Sequence, residues 1–332
     1  MAVHNVVMRP MDVHTAGRCA DALVETVALT RRFGARAAVN NLSFAVGRGE
    51  IFGIVGPDGS GKTTALRLLA AILDPTSGSA RVAGHDTVRE AEQVKARIGY
   101  MSQRFGLYSD LTVAENLDFY ADLYNVPRAG RAPAVERLLR FSGLVPFTGR
   151  FAGDLSGGMK QKLGLACTLI HTPEVLLLDE PTNGVDPVSR RDFWRMICQL
   201  VRERVTIVVT TSYLDEAERC TRVGLMHEGG LLACGTPGEV KGLLRGAVLE
   251  LRCAGPRAAA AALRPRLERS SINVFGDGIH IVTDEPAGVE EKVRGILDAA
   301  GIRTERVRRI EPGLEDVFVA LLAPETGARH GE

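Results

Sequence analysis

The chain has 332 residues, 45% of them hydrophobic, and a formal net charge of +1 from 41 basic and 40 acidic side chains. That length suits about two domains with buried cores, and the evenly mixed charges leave no footprint for nucleic acid. The six cysteines form no CxxC pair, which suits a reduced compartment, and no apolar run reaches the ~18 residues that a membrane span needs.

Residues 1–22 mix His, Arg, Asp and Gly without a signal-type apolar stretch and read as a loose tail. Leu23–Phe33 and Ala37–Val46 predict strands, and the apolar run Ile51–Val55 predicts a buried parallel strand. Next comes Gly56-Pro57-Asp58-Gly59-Ser60-Gly61-Lys62-Thr63-Thr64, a phosphate-loop pattern between that strand and a helix over Thr64–Leu73. Glycines let the backbone wrap an anion, and a helix start aims free N–H groups at it. Lys62 would neutralise the β- and γ-phosphates, and Thr63 would hold Mg²⁺. Short strands follow at 80–85 and 98–102, then Gln103, whose amide can touch Mg²⁺ or a water and sense the γ-phosphate.

From Thr112 to Leu144 the apolar spacing is helical, with one break. Leu155-Ser156-Gly157-Gly158-Met159-Lys160-Gln161 opens another helix, running to about Ile170. Ser156 stands where an N-cap should, and Gly157 and Gly158 free backbone N–H groups. Alone, Ser-Gly-Gly is an ordinary capped helix. In this order it is a second anion-binding helix start, expected to face the nucleotide of another subunit. The apolar run Val175–Leu178 ends in Asp179 and Glu180. Asp179 can reach Mg²⁺ directly or through water, and Glu180 can polarise an attacking water at the γ-phosphate. Asn183-Gly184-Val185-Asp186 is a tight turn able to meet a partner subunit. Helices at Pro187–Glu203 and Asp215–Cys220 flank a strand at Val205–Thr210, and His171 and His227, in helix-end and turn contexts, read as ordinary surface or satisfied residues.

Composition shifts over Gly235–Gly246. Beyond it the pattern runs strand (248–253), helix (257–267), strand (272–275), strand (279–283), helix (288–300), strand (303–309) and helix (314–322), the order of a split βαβ sandwich. It carries no catalytic cluster of His, Cys or carboxylates, so residues 247–322 are expected to be an accessory domain. Residues 323–332 read as a tail.

The phosphate loop, Gln103, the Leu-Ser-Gly-Gly stretch and Asp179-Glu180, in this order, resemble the ATP-binding subunits of ABC transporters over residues 23–240. Gln103-Arg104-Phe105-Gly106-Leu107-Tyr108, Leu111-Thr112-Val113-Ala114-Glu115-Asn116-Leu117 and Gly313-Leu314-Glu315-Asp316-Val317-Phe318 are similar to the drug-resistance exporters of the ABC-2 type. The resemblance implies an α/β phosphate-loop NTPase of ABC type: a mixed sheet core, a helical subdomain over about 104–170, and a smaller C-terminal α+β domain. It implies ATP and Mg²⁺ as cofactors, with contacts from Phe33, Gly56 through Thr64, Ser156, Gly157, Gly158 and Asp186. Metal contacts would come from Thr63, Gln103 and Asp179. Phe33 takes the place of the aromatic that stacks on adenine; its other reading is a core aromatic. The implied partners are membrane permease subunits of ABC-2 type and a second ATP-binding subunit, self or paralogue. They would hold the protein peripherally at the cytoplasmic face of the inner membrane.

One position departs from the family. After strand 205–210 the family has a switch histidine, and here Ser212 fills its place within Thr210-Thr211-Ser212-Tyr213-Leu214-Asp215-Glu216. A hydroxyl is shorter than an imidazole and carries no charge at pH 7. With Glu180 and Gln103, Ser212 completes the expected catalytic set. A slow regulatory ATP-binding module is therefore a second reading. A soluble ABC protein of translation or DNA repair is a third, and a single ATPase half without sustained heptads argues against it.

Overall fold

The structure is a computed structural model and describes residues 21–104, 106–267 and 270–322; Phe105, the expected tail over 323–332 and all but the last two residues of the expected N-terminal tail lie outside them. Two compact units divide between Thr236 and Pro237.

The first unit opens with β1 (Ala22–Phe33), β2 (Arg36–Gly47) and β3 (Ile51–Val55), followed by α1 (Lys62–Leu69). Next come β4 (Ser77–Val82), β5 (His85–Asp86), α2 (Ala91–Lys95) and β6 (Ile98–Met101). Helices α3 (Val113–Leu123), α4 (Arg128–Ser142) and α5 (Gly157–Thr168) precede β7 (Val175–Asp179), α6 (Pro187–Arg202), β8 (Thr206–Thr211) and α7 (Leu214–Ala217). A hairpin of β9 (Arg222–His227) and β10 (Gly230–Gly235) closes it. An antiparallel sheet has the order β2-β1-β4-β5 and a mixed sheet the order β10-β9-β3-β8-β7-β6, parallel except for β10. The wholly buried strands β3, β7 and β8 are the continuous apolar runs of the sequence, as suits strands covered on both faces. Leu66, Leu68 and Leu69 of α1 enter one core with Val24, Leu42 and Phe44 of the antiparallel sheet and Phe52 and Ile54 of β3. Phe44 and Phe52 stack with centroids 4.7 Å apart.

Helix α1 begins two residues earlier than Thr64, because Gly61 already turns the chain as a left-handed N-cap. It stops before Leu73, where Ala71 adopts φ +54°. The expected helical stretch from Thr112 is two helices. Thr112 and Glu115 form a capping box at the first. Buried Asn116 ties down the chain before it, accepting from the Tyr108 N–H (3.0 Å) and donating to the Tyr108, Leu111 and Thr112 carbonyls (3.0, 3.2 and 2.9 Å). The β9–β10 hairpin was not expected from the sequence. Its two turn residues, Glu228 and Gly229, both hold left-handed backbone (φ +46° and +86°), the geometry of a tight hairpin turn.

The second unit holds α8 (Pro237–Lys241), β11 (Ala247–Cys253), α9 (Pro256–Leu263), β12 (Ser271–Phe275), β13 (Gly278–Thr283), α10 (Pro286–Ala299), β14 (Thr304–Ile310) and α11 (Leu314–Leu322). Its sheet order is β12-β13-β11-β14, all neighbours antiparallel, so β13 splits the β11-α9-β12 unit. Leu249, Leu251, Ile279 and Ile281 meet Leu263 of α9 and Val293 and Leu297 of α10 in its core.

His280 of β13 lies 2.8 Å from Asp316 of α11, which is 1% exposed and also accepts from the Gly313 N–H at 2.9 Å. The hydrogen bond to Asp316 raises the His280 pKa above its ordinary 6.5. A raised folded-state pKa contributes stability that is whole below the unfolded value and is lost as pH rises through the folded one. His280→Gln should therefore destabilise this unit most at pH 5.5, by about 1.5–3 kcal/mol for a charged hydrogen bond. The gap should narrow by pH 8.5, as read from paired thermal melts. A pH-independent gap would remove the charge from the account.

Candidate functional site

The loop after β3 is a cradle of backbone. Its shape is set by two walls that lie far away in sequence. A Cβ on Gly56 would fall 2.1 Å from the Met226 carbonyl oxygen of β9, and one on Gly61 2.1 Å from the Ala38 carbonyl oxygen of β2. Neither position has room for a side chain. The β9–β10 turn braces the loop: the Gly229 N–H donates to the Ser60 carbonyl at 2.9 Å, and the Asn40 N–H to the Gly229 carbonyl at 2.8 Å. Pro57, Asp58 and Gly59 are exposed at the rim, where Arg36 donates to the Gly59 carbonyl at 3.3 Å. Ser60 is buried, and among the described residues its hydroxyl has no hydrogen-bond partner. Among the described residues no side chain caps α1, so the first-turn amides of Lys62, Thr63 and Thr64 keep their donors for a ligand.

Lys62 is 4% exposed. Its ammonium donates to the Gly56 and Pro57 carbonyls at 2.8 and 3.1 Å and pairs with Glu180 Oε1 at 3.0 Å. The other Glu180 oxygen accepts from Asn183 at 3.1 Å and from Gln103 at 3.4 Å. Glu180 holds φ +46°, a left-handed backbone unusual for a side chain of its size. Its N–H donates to the Thr210 hydroxyl at 2.9 Å, which fixes that turn from the neighbouring strand. The same Thr210 hydroxyl donates to Asp179 Oδ1 at 2.8 Å, and Thr63 donates to that oxygen at 3.0 Å. Burial pushes the Asp179 carboxyl above its ordinary pKa, with the two hydroxyls pulling the other way. Thus Lys62, Thr63, Gln103, Asp179 and Glu180 meet at one place.

Ser212 follows β8 and is half-buried. Among the described residues its side chain makes no hydrogen bond. Its neighbours hold the segment: the Thr211 carbonyl accepts from the Gly56 N–H at 3.3 Å, and the Thr211 hydroxyl accepts from the Tyr213 N–H at 3.0 Å. Phe33 is 50% exposed, with the Arg31 guanidinium 4.8 Å from its ring centroid, so the core-aromatic reading is wrong.

The remaining expected contacts form a second cluster. Ser156 caps α5, accepting from the Met159 N–H at 3.3 Å. Gly157 faces open space, while a Cβ on Gly158 would lie 2.3 Å from Ser189. Gly158 thus lets the starts of α5 and α6 pack together. Asp186 caps α6, accepting from the Val188 and Ser189 N–H groups at 3.1 and 3.0 Å, and these bonds, Ser189 foremost, hold its carboxyl below the usual range. Among the described residues no hydrogen bond joins this cluster to the phosphate loop.

Thr210 is the residue of the site that the sequence reading left unassigned. Its signal was the first of three hydroxyls, Thr210, Thr211 and Ser212, at the polar end of a buried strand beside another strand that ends in Asp-Glu.

A family model described as ABC transporter matches residues 39–183. The chain is 43% identical over 307 residues to the probable multidrug ABC transporter ATP-binding protein YbhF of Escherichia coli (strain K12), covering 91% of this chain and 52% of that protein. It thus spans about half that relative's length. It is 38% identical over 310 residues to the daunorubicin resistance ATP-binding protein DrrA3 of Streptomyces coeruleorubidus, covering 91% of this chain and 96% of that one. A solved ATP-binding subunit of an ABC transporter superposes with a TM-score of 0.61 at 27% identity, over 68% of this chain and 95% of its own.

Proposed function

Because the chain belongs to the family of ABC transporter ATP-binding proteins, we propose that it is the ATP-binding and ATP-hydrolysing subunit of an exporter. It closes as a sandwich with a second ATP-binding subunit and drives a separate permease of ABC-2 type. The observation that carries this reading is the convergence of Lys62, Thr63, Asp179 and Glu180 on a glycine cradle with uncapped helix amides. Lys62 and the amides bind the β- and γ-phosphates, and the unpartnered Ser60 hydroxyl offers them one further donor. Phe33 lends an exposed face to the adenine. Glu180 takes a proton from the attacking water. Ser156, Gly157, Gly158 and Asp186 act on the nucleotide of the facing subunit. The accessory domain over 247–322 tunes assembly or turnover.

The donor set suits Mg²⁺. Thr63 and Asp179 supply hard oxygens 3.0 Å apart, and Gln103 an amide nearby. Among the described residues no group of three or more His, Cys, Asp or Glu could hold a metal alone. When bound, Mg²⁺ would offset charge on the transferring phosphoryl group.

No helix among the described residues is long and apolar enough to cross a membrane. In this proposal the permease holds the subunit at the cytoplasmic face of the inner membrane and chooses the exported compound. Purification from membranes with and without the permease tests this: the chain should pellet and hydrolyse ATP with its partner. Recovery with ribosomes or DNA would refute it.

Ser212→His bears on the slow-module reading. If the missing imidazole positions water and γ-phosphate, the substitution should raise turnover at unchanged ATP affinity, up to the ~10²-fold lower end of general acid–base effects. Equal or lower turnover would mean that the site is built around serine.

A further inference from the structure

Glu216 lies outside the expected catalytic set, yet it is 1% exposed and joined to three different segments. Its Oε1 accepts from the Thr182 hydroxyl at 2.7 Å, two residues past Glu180. Its Oε2 accepts from the Thr211 hydroxyl at 2.9 Å, one residue before Ser212. Arg190 of α6, one turn past the Asp186 cap, brings its Nε to 3.4 Å from Oε1. The Arg190 guanidinium also lies 4.2 Å from the ring centroid of Tyr213, the residue after Ser212. Thr182 and Thr211 are each 1% exposed. A buried carboxylate is costly unless such partners surround it. This one therefore fixes the mutual distance of the segments that supply its partners.

We propose that Glu216 is a positioning residue that locks the Ser212 segment to the Glu180 turn and to the start of α6. The proposal rests on the ATPase reading above. Among the described residues the Ser212 side chain makes no hydrogen bond, so its place is set by Thr211 and Tyr213. Thr211 is held on one side by Gly56 of the phosphate loop (3.3 Å) and on the other by Glu216 (2.9 Å). Tyr213 is held under Arg190. Where a histidine would reach toward the phosphate by its own length, a short hydroxyl depends on where the backbone puts it. Glu216 and Arg190 supply that placement. They also connect it to Asp186, so a shift of the partner-facing turn is transmitted to the hydrolytic side.

The test is Mg-ATP turnover and nucleotide binding by the full chain in its assembly, for wild type, Glu216→Gln, Arg190→Gln and the double variant. Glutamine keeps the volume of Glu216 and removes the charge that Arg190 needs. Misplacing a reacting group by about an ångström costs up to ~10²-fold in rate. Each single variant should therefore lose ~10- to 100-fold in kcat with ATP affinity within threefold of wild type, while the melting temperature falls, because one charge of a buried pair loses its partner. The double variant should be no worse than the poorer single one, because both break one link. Equal kcat in Arg190→Gln, multiplicative losses in the double variant, or parallel losses in kcat and affinity would each overturn the proposal. If Glu216→Gln fails to fold, Arg190→Gln decides, since Arg190 is partly exposed (23%) and Glu216 keeps its two hydroxyl donors. A wild-type assembly that hydrolyses no ATP would instead sink the ATPase reading.

Discussion

Glu180→Gln should lower ATP turnover by ~10²- to 10⁴-fold, the range of a lost general base, while nucleotide binding persists. The amide preserves shape but takes no proton from water. The structure adds a second expectation. Lys62 spends part of its charge on Glu180 Oε1 at 3.0 Å, so an arriving phosphate must compete with that carboxylate. Glutamine removes the competing charge, and ATP affinity should rise rather than merely hold. Size-exclusion chromatography with ATP should then find a trapped dimer-sized species, and equilibrium titration a lower Kd than wild type. Wild-type turnover in this variant would remove Glu180 from the chemistry. Weakened binding would show that the Lys62–Glu180 pair supports the cradle more than it blocks it.

Lys62→Ala should abolish tight Mg-ATP binding. Truncating one partner of a buried, hydrogen-bonded charge contact costs about 2–5 kcal/mol, at least ~30-fold in Kd. The loop carbonyls of Gly56 and Pro57 would lose their donor as well. The substitution also leaves the Glu180 carboxylate, 8% exposed, without its paired cation, and the chain should melt at a lower temperature. Adding Glu180→Gln separates the two effects. It should restore much of the melting temperature and none of the affinity. An affinity within threefold of wild type in Lys62→Ala would refute the role of Lys62.

The chemistry-bearing residues were legible because each sits at a boundary between pattern types. An apolar strand stops, and a glycine loop or an Asp-Glu pair begins. Lys62, Thr63, Asp179 and Glu180 could be named from that punctuation alone. What surrounds them could not. Gly56 and Gly61 must be glycine because of Met226 and Ala38, and nothing local to the loop announces either. The β9–β10 hairpin went unread although Gly229-Gly230 marks a turn, because left-handed Glu228 stands where Asn or Asp would complete the usual hairpin signal. Glu216 escaped because a buried carboxylate, held by two hydroxyls and an arginine, and a solvated one look alike in a helix pattern. Of the two readings of Phe33, exposure removes the core aromatic.

The place of β3 between β8 and β9 bears on how the chain is made. Its register pairs Ile51 with Ile207 and Phe52 with Arg222, and the loop that follows it is braced by Gly229. A ribosome adding about 5–20 residues per second therefore leaves this strand without either neighbour for roughly ten seconds or more. Through that interval an apolar segment and an unformed glycine loop stay within reach of chaperones and proteases. Nucleotide cannot steady them, because its cradle does not yet exist. Variants that slow the late strands should lower yield in the cell before they alter any property of the finished protein.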